Sequence, residues 1–345
     1  MDFSGELVQW YLENKRDLPW RDTTDPYVIW LSEIILQQTR VEQGLPYFHR
    51  FVETYPDVVH FAAADEGEIL KLWQGLGYYS RGRNMLKTAK MVNELYGGRF
   101  PDRYELLLKL KGIGEYTAAA IASFSANEPH AVVDGNVYRV LARFFGIYEP
   151  VNSSKGKKVF QRTAAELLNK QHPGLHNQAM MEFGAMLCKP KKPGCGVCPV
   201  KEGCFALKNN ETAALPVKLK KLKVRERFFN YFFVTDGEQI LMNKRGETDI
   251  WANMYDLPLI ETASLTTIDE LMNLPEFADI FGREAQIENV GQVYKHILTH
   301  QRLFVRLIKL NSKAVKLKEQ WVYTPFKNLE SLALPKIVFL LLNNL

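Results

Sequence analysis

The sequence of 345 residues is poor in cysteine: it has four, and all of them lie between residues 188 and 204. Such a set does not make a disulfide scaffold, and in a reducing compartment thiolates serve more often as metal ligands. The sequence also lacks an uncharged apolar run of about 18 residues, which excludes a membrane-spanning helix. Residues 1–6 show neither the charged nor the apolar region of a secretion signal. We therefore expect a soluble, cytoplasmic protein.

Neither sign of charge dominates, since 44 Lys and Arg face 39 Asp and Glu for a net charge of +5. A bias this mild permits a polyanion as partner without demanding one. With 46% hydrophobic residues the chain can form substantial cores, and its length favours two domains. The alternation typical of strands is absent before residue 215, so this half is predicted to be all-α.

A loop and a carboxylate stand out between residues 110 and 139. Gly112 and Gly114 predict a tight turn at the start of a helix over residues 117–124. The unsatisfied N–H groups of a helix N-terminus can bind a DNA phosphate without a side chain. Asp134 follows an apolar run and precedes a second helical pattern. Taken singly, an ordinary turn and an ordinary helix cap explain these features equally well.

A single acid interrupts an apolar helical pattern that we predict to run from Pro26 to Arg40, with Asp25 as its cap. That acid is Glu33, which shares a helical face with Trp30 and Gln37. A carboxyl packed against apolar groups has a raised pKa and can donate a proton near neutral pH. The alternative is an acid on the solvent side of an amphipathic helix.

The four cysteines form a Cys-x6-Cys-x2-Cys-x5-Cys array of Cys188, Cys195, Cys198 and Cys204. Thiolates this close in sequence can share one inorganic centre, either an iron-sulfur cluster or zinc. A four-thiolate zinc site more commonly shows two Cys-x2-Cys pairs, and this array has one. Lysines 189, 191, 192 and 201 surround the array and suit contact with phosphates, or are simply solvated.

Four segments, residues 30–39, 76–84, 112–117 and 133–137, together resemble the adenine DNA glycosylase (MutY) family of the helix-hairpin-helix superfamily that includes endonuclease III. The resemblance covers most of residues 1–216, and Lys111 replaces a proline usual in the family. It implies a helix-hairpin-helix at about residues 108–124 and a 4Fe-4S cluster held by the cysteine array at residues 188–204. It also implies two helical lobes, with the N-terminal helix joining the residues after about 135, and DNA held between them. The hairpin loop is a further candidate site for a monovalent or divalent cation.

The same resemblance implies roles for individual residues. Glu33 would be the general acid and Asp134 the ionised partner, with Tyr116 and Asn136 completing the catalytic group. The adenine pocket would be formed by Trp20, Arg21, Trp30 and Gln178. DNA and 8-oxoguanine would be contacted by Gln38, Thr39, Leu76, Tyr78, Gly112 and Gly114. Tyr116 stands where bifunctional relatives have a Schiff-base lysine, which predicts a monofunctional enzyme.

After the basic segment 217–227, which we predict to be a linker, the periodicity changes. Residues 228–234 and 240–244 are predicted to form a hairpin and residues 304–310 another strand, while residues 264–281 and 335–342 are predicted to be helical. Residues 245–258 resemble the start of a Nudix fold. The acidic cluster of a hydrolytic Nudix enzyme is missing from residues 264–285, so we expect this α+β domain, residues 228–345, to recognise rather than hydrolyse.

A loop of that domain senses 8-oxoguanine in the family through a Phe-Ser-His motif. The matching residues here are Leu298, Thr299 and His300. The whole pattern predicts a monomeric, DNA-bound enzyme of the cytoplasm and nucleoid that excises adenine opposite 8-oxoguanine or guanine. Three alternatives remain: an endonuclease III-like glycosylase for oxidised pyrimidines, a non-catalytic mismatch-binding protein and a Nudix phosphohydrolase.

Overall fold

The computed structural model of the protein describes residues 2–219, 224–312 and 314–343. Over residues 2–219 every regular element is a helix, which confirms the all-α prediction for this half. The helices are α1 (Phe3–Asn14), α2 (Pro26–Ile35), α3 (Val41–Thr54), α4 (Val58–Ala63), α5 (Glu66–Leu72), α6 (Ser80–Tyr96), α7 (Tyr104–Leu107), α8 (Glu115–Ser125), α9 (Gly135–Phe145), α10 (Ser154–Leu167), α11 (Pro173–Met186) and α12 (Phe205–Lys208).

Helix α2 begins where the sequence predicts and ends earlier. The Asp25 side chain accepts a hydrogen bond from the Tyr27 N–H, and Pro26 occupies the first turn. The prediction that this helix continues to Arg40 is wrong, because α2 ends at Ile35. Gln38 adopts a left-handed conformation with φ of +56°, which a right-handed helix cannot contain. Gln37 and Gln38 therefore lie in a turn.

The helix-hairpin-helix consists of α7, a loop over residues 108–114 and α8. Gly112 has a φ of +80°, and a Cβ at this position would come within 2.9 Å of the Asn84 side chain. The Thr88 hydroxyl hydrogen-bonds the Lys111 carbonyl. Both contacts come from α6, so this helix supports the loop from behind. The positive φ and the close approach explain why glycine is needed here.

Two packing groups organise the helices. Phe3 and Leu7 of α1 join Val137, Leu141 and Phe183 in one hydrophobic core, and α1 packs along α11. Helix α2 packs instead along α8. The N-terminal helix therefore packs against residues after about 135, and the two-lobe division stays a prediction.

Over residues 224–312 and 314–343, the C-terminal part holds two sheets and three α-helices. Its strands are β1 (Arg225–Phe233), β2 (Gln239–Lys244), β3 (Tyr255–Asp256), β4 (Leu259–Thr262), β5 (Gln286–Val290), β6 (Tyr294–Ile297), β7 (Gln301–Asn311) and β8 (Trp321–Pro325). Its helices are α13 (Ile268–Met272), α14 (Pro275–Phe281) and α15 (Lys336–Leu342). One sheet has the order β4-β1-β7-β5 with β6 also on β7, and the other has the order β3-β2-β8. The α+β prediction is confirmed.

The predicted hairpin between β1 and β2 is wrong. Both strands exist, and Gly237 makes the turn with a φ of +104°, but they belong to different sheets. A single bridge between Thr235 and Ile240 joins the two ends. Strand β1 instead runs parallel to β7, with Phe228 beside Phe304, a pairing that local sequence cannot indicate.

The boundary between the two parts differs in detail from the prediction. Strand β1 begins at Arg225, inside the predicted linker 217–227, and residues 220–223 of that linker lie outside the described residues. The chain divides into two compact units, one of Met1–Ala64 with Asn84–Lys220 and one of Asp65–Arg83 with Lys221–Leu345. Segment 65–83 was predicted to belong to the first domain. Within the described residues, no helix is long and apolar enough to span a membrane.

Candidate active site

Glu33 is buried in the last turn of α2, with 8% of its surface exposed. The Tyr116 hydroxyl, at the start of α8, donates a hydrogen bond to Glu33 Oε2 at 2.7 Å. Burial raises the pKa of Glu33 to about 7, although the Tyr116 hydrogen bond acts in the opposite direction. The nearby negative charge of Asp134 adds to the rise. A carboxyl with this pKa is partly protonated at neutral pH and can act as an acid.

Asp134 caps the N-terminus of α9 and is held by three hydrogen bonds. Its Oδ1 accepts from the N–H groups of Asn136 and Val137, both at 2.8 Å, and its Oδ2 accepts from Asn136 Nδ2 at 2.7 Å. Burial raises the pKa of Asp134, while these donors favour the ionised form. The cap and the functional interpretation are therefore compatible, since the same bonds fix and stabilise a carboxylate.

Glu33, Tyr116, Asp134 and Asn136 line one cleft of about 700 Å³ in the helical unit. The pKa of Tyr116 is raised by burial and by the negative charges of both acids. Two acids one hundred residues apart in sequence are thus brought to one cavity. The cleft is large enough for a flipped nucleotide.

Trp20 and Arg21, two residues of the predicted adenine pocket, line the same cleft. Two other residues of that prediction lie elsewhere. Trp30 is 1% exposed and packs against Phe100 and Phe61 in an aromatic core, so its contribution is to support α2. Gln178 accepts a hydrogen bond from the Tyr11 hydroxyl at 2.6 Å, a contact at the packing face of α1 and α11.

A buried glutamate that the sequence prediction missed forms part of the cleft wall. Glu182 of α11 bonds both Arg16 and Arg21, with Nη2 to Oε2 distances of 2.7 Å each. Burial alone would raise the pKa of Glu182, but the hydrogen bonds from the two arginines outweigh it and lower the pKa to about 2. The signal was available: like Glu33, Glu182 is a lone acid in an apolar helical run, residues 179–186.

Arg139 of α9 connects Asn136 and Asp134 to the cysteine array. Its Nη2 donates to Asn136 Oδ1 at 2.9 Å and to the Gly184 carbonyl at 2.7 Å, and its Nε donates to the Cys188 carbonyl at 2.7 Å. Asn136 in turn bonds Asp134. A continuous set of hydrogen bonds therefore joins Asp134 to the first cysteine of the array.

All four cysteines line a second cavity of the helical unit, together with Arg143 and apolar residues. None of them forms a disulfide. Arg143 Nη1 lies 3.3 Å from Cys188 Sγ and also donates to the Lys189 carbonyl at 2.8 Å. Over the described residues, no three His, Cys, Asp or Glu side chains are arranged to hold a single metal ion. A cluster differs, because each thiolate binds a separate iron and the sulfurs stand further apart.

The predicted DNA-contacting residues fall in three places. Gln38 and Thr39 lie on the rim of the active-site cleft. Gly112 and Gly114 lie in the hairpin loop, and the first turn of α8 has no side-chain cap, so its N–H groups are available to a phosphate. Leu76 is buried, whereas Tyr78 is 44% exposed with a φ of +50°.

In the C-terminal unit, Leu298, Thr299 and His300 form the turn between β6 and β7. The Thr299 hydroxyl hydrogen-bonds the Tyr78 hydroxyl, so two residues predicted to contact the lesion meet within this unit. Segment 65–83 is held there by two further bonds. Arg83 Nη1 donates to the Ala252 carbonyl at 2.9 Å, and Asn253 Nδ2 donates to Glu66 Oε1 at 2.7 Å.

Comparison with known protein families and structures agrees with this geometry. Residues 31–170 match the HhH-GPD superfamily of base excision DNA repair proteins, and residues 230–344 match the NUDIX domain. A thermostable thymine-DNA glycosylase superposes with a TM-score of 0.56 at 30% identity, over 60% of this chain and 95% of that one. Endonuclease III in a non-covalent DNA complex shares the fold, with a TM-score of 0.53 at 22% identity over 60% and 94% of the two chains. The protein is therefore a DNA N-glycosylase of base excision repair.

Sequence relatives indicate which kind of DNA glycosylase the chain resembles. The adenine DNA glycosylase of Buchnera aphidicola subsp. Schizaphis graminum is 32% identical over 97% of this chain and 96% of its own length. The adenine DNA glycosylase of Arabidopsis thaliana is 34% identical over 88% of this chain and 56% of its own, and the human one is 40% identical over 62% and 41%. The chain belongs to the adenine DNA glycosylase family.

Proposed function

We propose that this protein is a monofunctional glycosylase that removes adenine paired with 8-oxoguanine or guanine in duplex DNA. The observation that carries the proposal is the pair of acids in one cleft: Glu33, whose pKa is raised to about 7, and Asp134, held by three hydrogen-bond donors. The names of the full-length relatives support adenine as the base. The DNA complexes among the structural neighbours support duplex DNA as the partner.

The chemistry requires the base to leave the helix. Adenine is flipped into the cleft at a cost of a few kcal/mol, which contacts to the phosphates offset. The carboxyl of Glu33 donates its proton to N7 of the base, and the bond between N9 and C1′ breaks as the ring takes up the bonding electrons. Adenine then departs as a neutral molecule, and positive charge remains on the deoxyribose.

Asp134 is proposed to stabilise this positive charge. Its carboxylate, fixed by Asn136 and the α9 N-terminus, stabilises the sugar cation electrostatically or as a transient covalent partner. Water then adds to C1′ and loses a proton to the ionised Glu33, which leaves an abasic site and restores the acid. Tyr116 holds Glu33 in place through its hydroxyl. Because Tyr116 replaces the Schiff-base lysine of bifunctional relatives, the sugar-phosphate backbone stays intact.

In the helical unit, DNA contact is assigned to Gln38 and Thr39. In the other unit, recognition of the opposite base is assigned to Leu76, Tyr78 and the turn of Leu298, Thr299 and His300. The exposed Tyr78 ring and the Thr299 hydroxyl already meet, so both can approach the same base. Leu298 stands where the family has phenylalanine, and it supplies an apolar contact without stacking. The hairpin loop with Gly112 and Gly114 would bind the DNA backbone, and its carbonyl groups would hold a monovalent or divalent cation.

Cys188, Cys195, Cys198 and Cys204 would hold a 4Fe-4S cluster in the cavity that all four line. Arg143, which contacts Cys188 and the following carbonyl groups, suits the negative charge of such a thiolate centre. When bound, the cluster would fix the loop that carries Lys189 and Lys191 beside the active-site rim. We further propose that the protein acts as a monomer on DNA in the cytoplasm.

The decisive experiment measures base release under single-turnover conditions from duplexes that carry adenine opposite 8-oxoguanine, adenine opposite guanine, or thymine glycol opposite adenine. We expect adenine release from the first two, detected as strand breaks after alkali treatment and not before it. Release of thymine glycol with spontaneous, borohydride-trappable strand cleavage would instead establish an endonuclease III-like enzyme. Binding of the mismatch without release of adenine would establish a mismatch-binding protein.

The C-terminal domain is proposed to recognise DNA and not to hydrolyse nucleotides. Acids in the region of a Nudix box have structural partners: Glu270 completes a capping box with Thr267, and Asp279 pairs with Lys316 at 3.0 Å. Incubation of the full-length protein with Mg²⁺ and nucleoside triphosphates tests this directly. Release of pyrophosphate or phosphate would contradict the assignment.

A further inference from the structure

Glu182, in the middle of α11, is the common acceptor for two arginines. Its Oε1 accepts hydrogen bonds from the Arg16 backbone N–H at 3.0 Å, Arg16 Nε at 2.8 Å and Arg21 Nη1 at 3.1 Å. Its Oε2 accepts from Nη2 of both arginines at 2.7 Å. The Glu182 side chain is 1% exposed. A buried carboxylate with five donors fixes both guanidinium groups in one orientation.

We propose that Glu182 is a positioning residue that fixes Arg16 and Arg21 on the cleft wall and balances their charge, so that Glu33 can keep the proton it gives to the base. This inference rests on the proposed function, because it takes Glu33 to be the general acid. It adds a residue of α11, an element separate from those that carry the two acids.

Glu182 sets the net charge of this part of the cleft wall. Two guanidinium groups and one carboxylate leave a single net positive charge on this part of the wall, and removal of the carboxylate would leave two. The positive charge of Arg21 already favours the ionised form of Glu33. With Glu182 neutral, a second uncompensated charge in the same cleft would draw the proton away from Glu33.

Glu182 also fixes the position of Arg21. Its Nη1 also donates to the Arg16 carbonyl at 2.9 Å, and its guanidinium lies 5.5 Å from the centre of the Tyr11 ring. Tyr11 in turn bonds Gln178. Glu182 thus holds one end of a chain of contacts that runs across the packing face of α1 and α11. Without it, Arg21 would be free to turn toward Glu33.

The other charged and polar groups around Glu33 make contacts that do not involve Glu182. Tyr116 from α8 bonds Glu33 itself, and Asp134 before α9 is held by backbone N–H groups. Arg139 of α9 is bound to carbonyl groups of Gly184 and Cys188. Arg40 and Glu42, at the start of α3, carry opposite charges on the cleft rim. Glu182 therefore acts on Glu33 through Arg16 and Arg21.

The test is the pH dependence of single-turnover adenine excision from a duplex with adenine opposite 8-oxoguanine, between pH 5.5 and 8.5. The alkaline limb of this profile is the range in which the rate falls as Glu33 loses its proton. Glu182→Gln is expected to shift this limb to lower pH by about one unit, which makes excision roughly tenfold slower at pH 8. The double variant Glu182→Gln with Arg16→Gln has the net charge of the wild type and is expected to move the limb back. Glu182→Asp keeps the charge and should preserve the limb.

Glu166→Gln is the matched control, because it removes an exposed ion pair with Arg162 on α10. Its profile should equal that of the wild type. A folded Glu182→Gln protein that is slower at every pH, with its alkaline limb unmoved, would reduce Glu182 to a structural role and overturn the proposal. If Glu182→Gln does not fold, Arg16→Gln alone serves, since it lowers the wall charge and should move the limb upward; an unmoved limb overturns the proposal.

The wild type separates this inference from the function on which it depends. If the wild-type protein releases no adenine at any pH, the proposed function fails and the role of Glu182 falls with it. If the wild type releases adenine and the Glu182 variants keep its pH profile, the proposed function stands and only the role of Glu182 is lost.

Discussion

Two glutamates lie in the second halves of two apolar helices and line the same cleft, yet the protein favours the neutral form of one and the ionised form of the other. Glu33 in α2 has one neutral hydroxyl as its partner, and burial raises its pKa to about 7. Glu182 in α11 is just as buried, but two guanidinium groups lower its pKa to about 2. Burial disfavours the ionised form of a carboxyl. Hydrogen bonds from two guanidinium groups outweigh this effect at Glu182, whereas the single hydroxyl at Glu33 does not.

The same difference in hydrogen-bond partners explains how one cleft can contain a protonated acid beside ionised acids. Asp134 stands between the two cases, since burial raises its pKa while three N–H donors favour its charge. Glu33, the proposed proton donor, accepts one hydrogen bond, whereas Asp134 accepts three and Glu182 accepts five, and more donors favour the ionised form. Four predictions test this division, the last of them the smallest in effect.

The largest effect is expected from Glu33→Gln. The amide keeps the shape of the side chain and can still accept the Tyr116 hydrogen bond, but it has no acidic proton. Excision of adenine should fall by about 10²–10⁴. Affinity for the duplex should be unchanged, which a gel-shift titration measures. The exposed Glu53→Gln on α3 is a matched control; a Glu33→Gln enzyme with ordinary rates would exclude Glu33 as the acid.

Asp134→Asn should slow excision by about 10²–10³, because the sugar cation loses its counter-charge. Asparagine keeps an oxygen that can accept from the Asn136 and Val137 N–H groups, so α9 stays capped. Circular dichroism and single-turnover kinetics on the same sample separate the two effects. Normal folding with normal catalysis would contradict the role assigned to Asp134.

Stability should depend on pH in opposite senses at the two glutamates. The pKa of Glu33 is higher in the folded protein than the ordinary 4.5, so the folded state binds more protons between pH 4.5 and about 7 and loses stability as pH rises through that window. This loss is worth roughly 3 kcal/mol and should be relieved by Glu33→Gln at pH 8 but not at pH 4.

At Glu182 the pKa is lowered, so its stabilisation is present above about 4.5 and is lost as pH falls toward 2. Glu182→Gln should therefore destabilise the protein at pH 8, where Glu33→Gln stabilises it. Urea unfolding of both variants at the two pH values measures the four differences. If both substitutions destabilised the protein at pH 8, the proposed difference in pKa between the two glutamates would be wrong.

The smallest effect is expected at Tyr116. In the wild type, excision should fall about tenfold per pH unit above 7 as Glu33 loses its proton. The Tyr116 hydrogen bond lowers the pKa of Glu33, so Tyr116→Phe should move this limb to higher pH and change the maximal rate only a few-fold. Tyr138→Phe, on the same cleft, is the control. A limb that moves to lower pH in Tyr116→Phe would contradict the direction of this hydrogen bond's effect.

Much of the fold was accessible from local sequence. The Asp25 cap, the glycines of the hairpin and the lone acid in α2 each have a local physical signature, and the structure places them as expected. The end of α2 was not accessible, because nothing in its composition indicates the left-handed Gln38. The separation of β1 and β2 into different sheets depends on β7, about seventy residues further along the chain.

The residues of the candidate site also differ in how far the sequence could predict them. Residues that act through their own chemistry, such as Glu33 and Asp134, could be found by residue type and position. The partners of Glu182 and Arg139 could not be predicted, because they are distant in sequence: Arg16 lies 166 residues before Glu182 and Cys188 lies 49 after Arg139. For Glu182, the lone acid in an apolar run was a signal of burial but not of its arginine partners. Trp30 shows the opposite error, since an aromatic residue beside the acid belongs to the core.

Infrared difference spectroscopy tests the central claim most directly, because it detects the proton on Glu33 itself. The spectrum of the wild type minus that of Glu33→Gln at pH 6 should contain the carbonyl band of a protonated carboxylic acid, and this band should give way to a carboxylate band by pH 8. The wild type minus Glu182→Gln should show a carboxylate band for Glu182 at both pH values. A Glu33 difference spectrum with carboxylate bands alone at pH 6 would contradict the account.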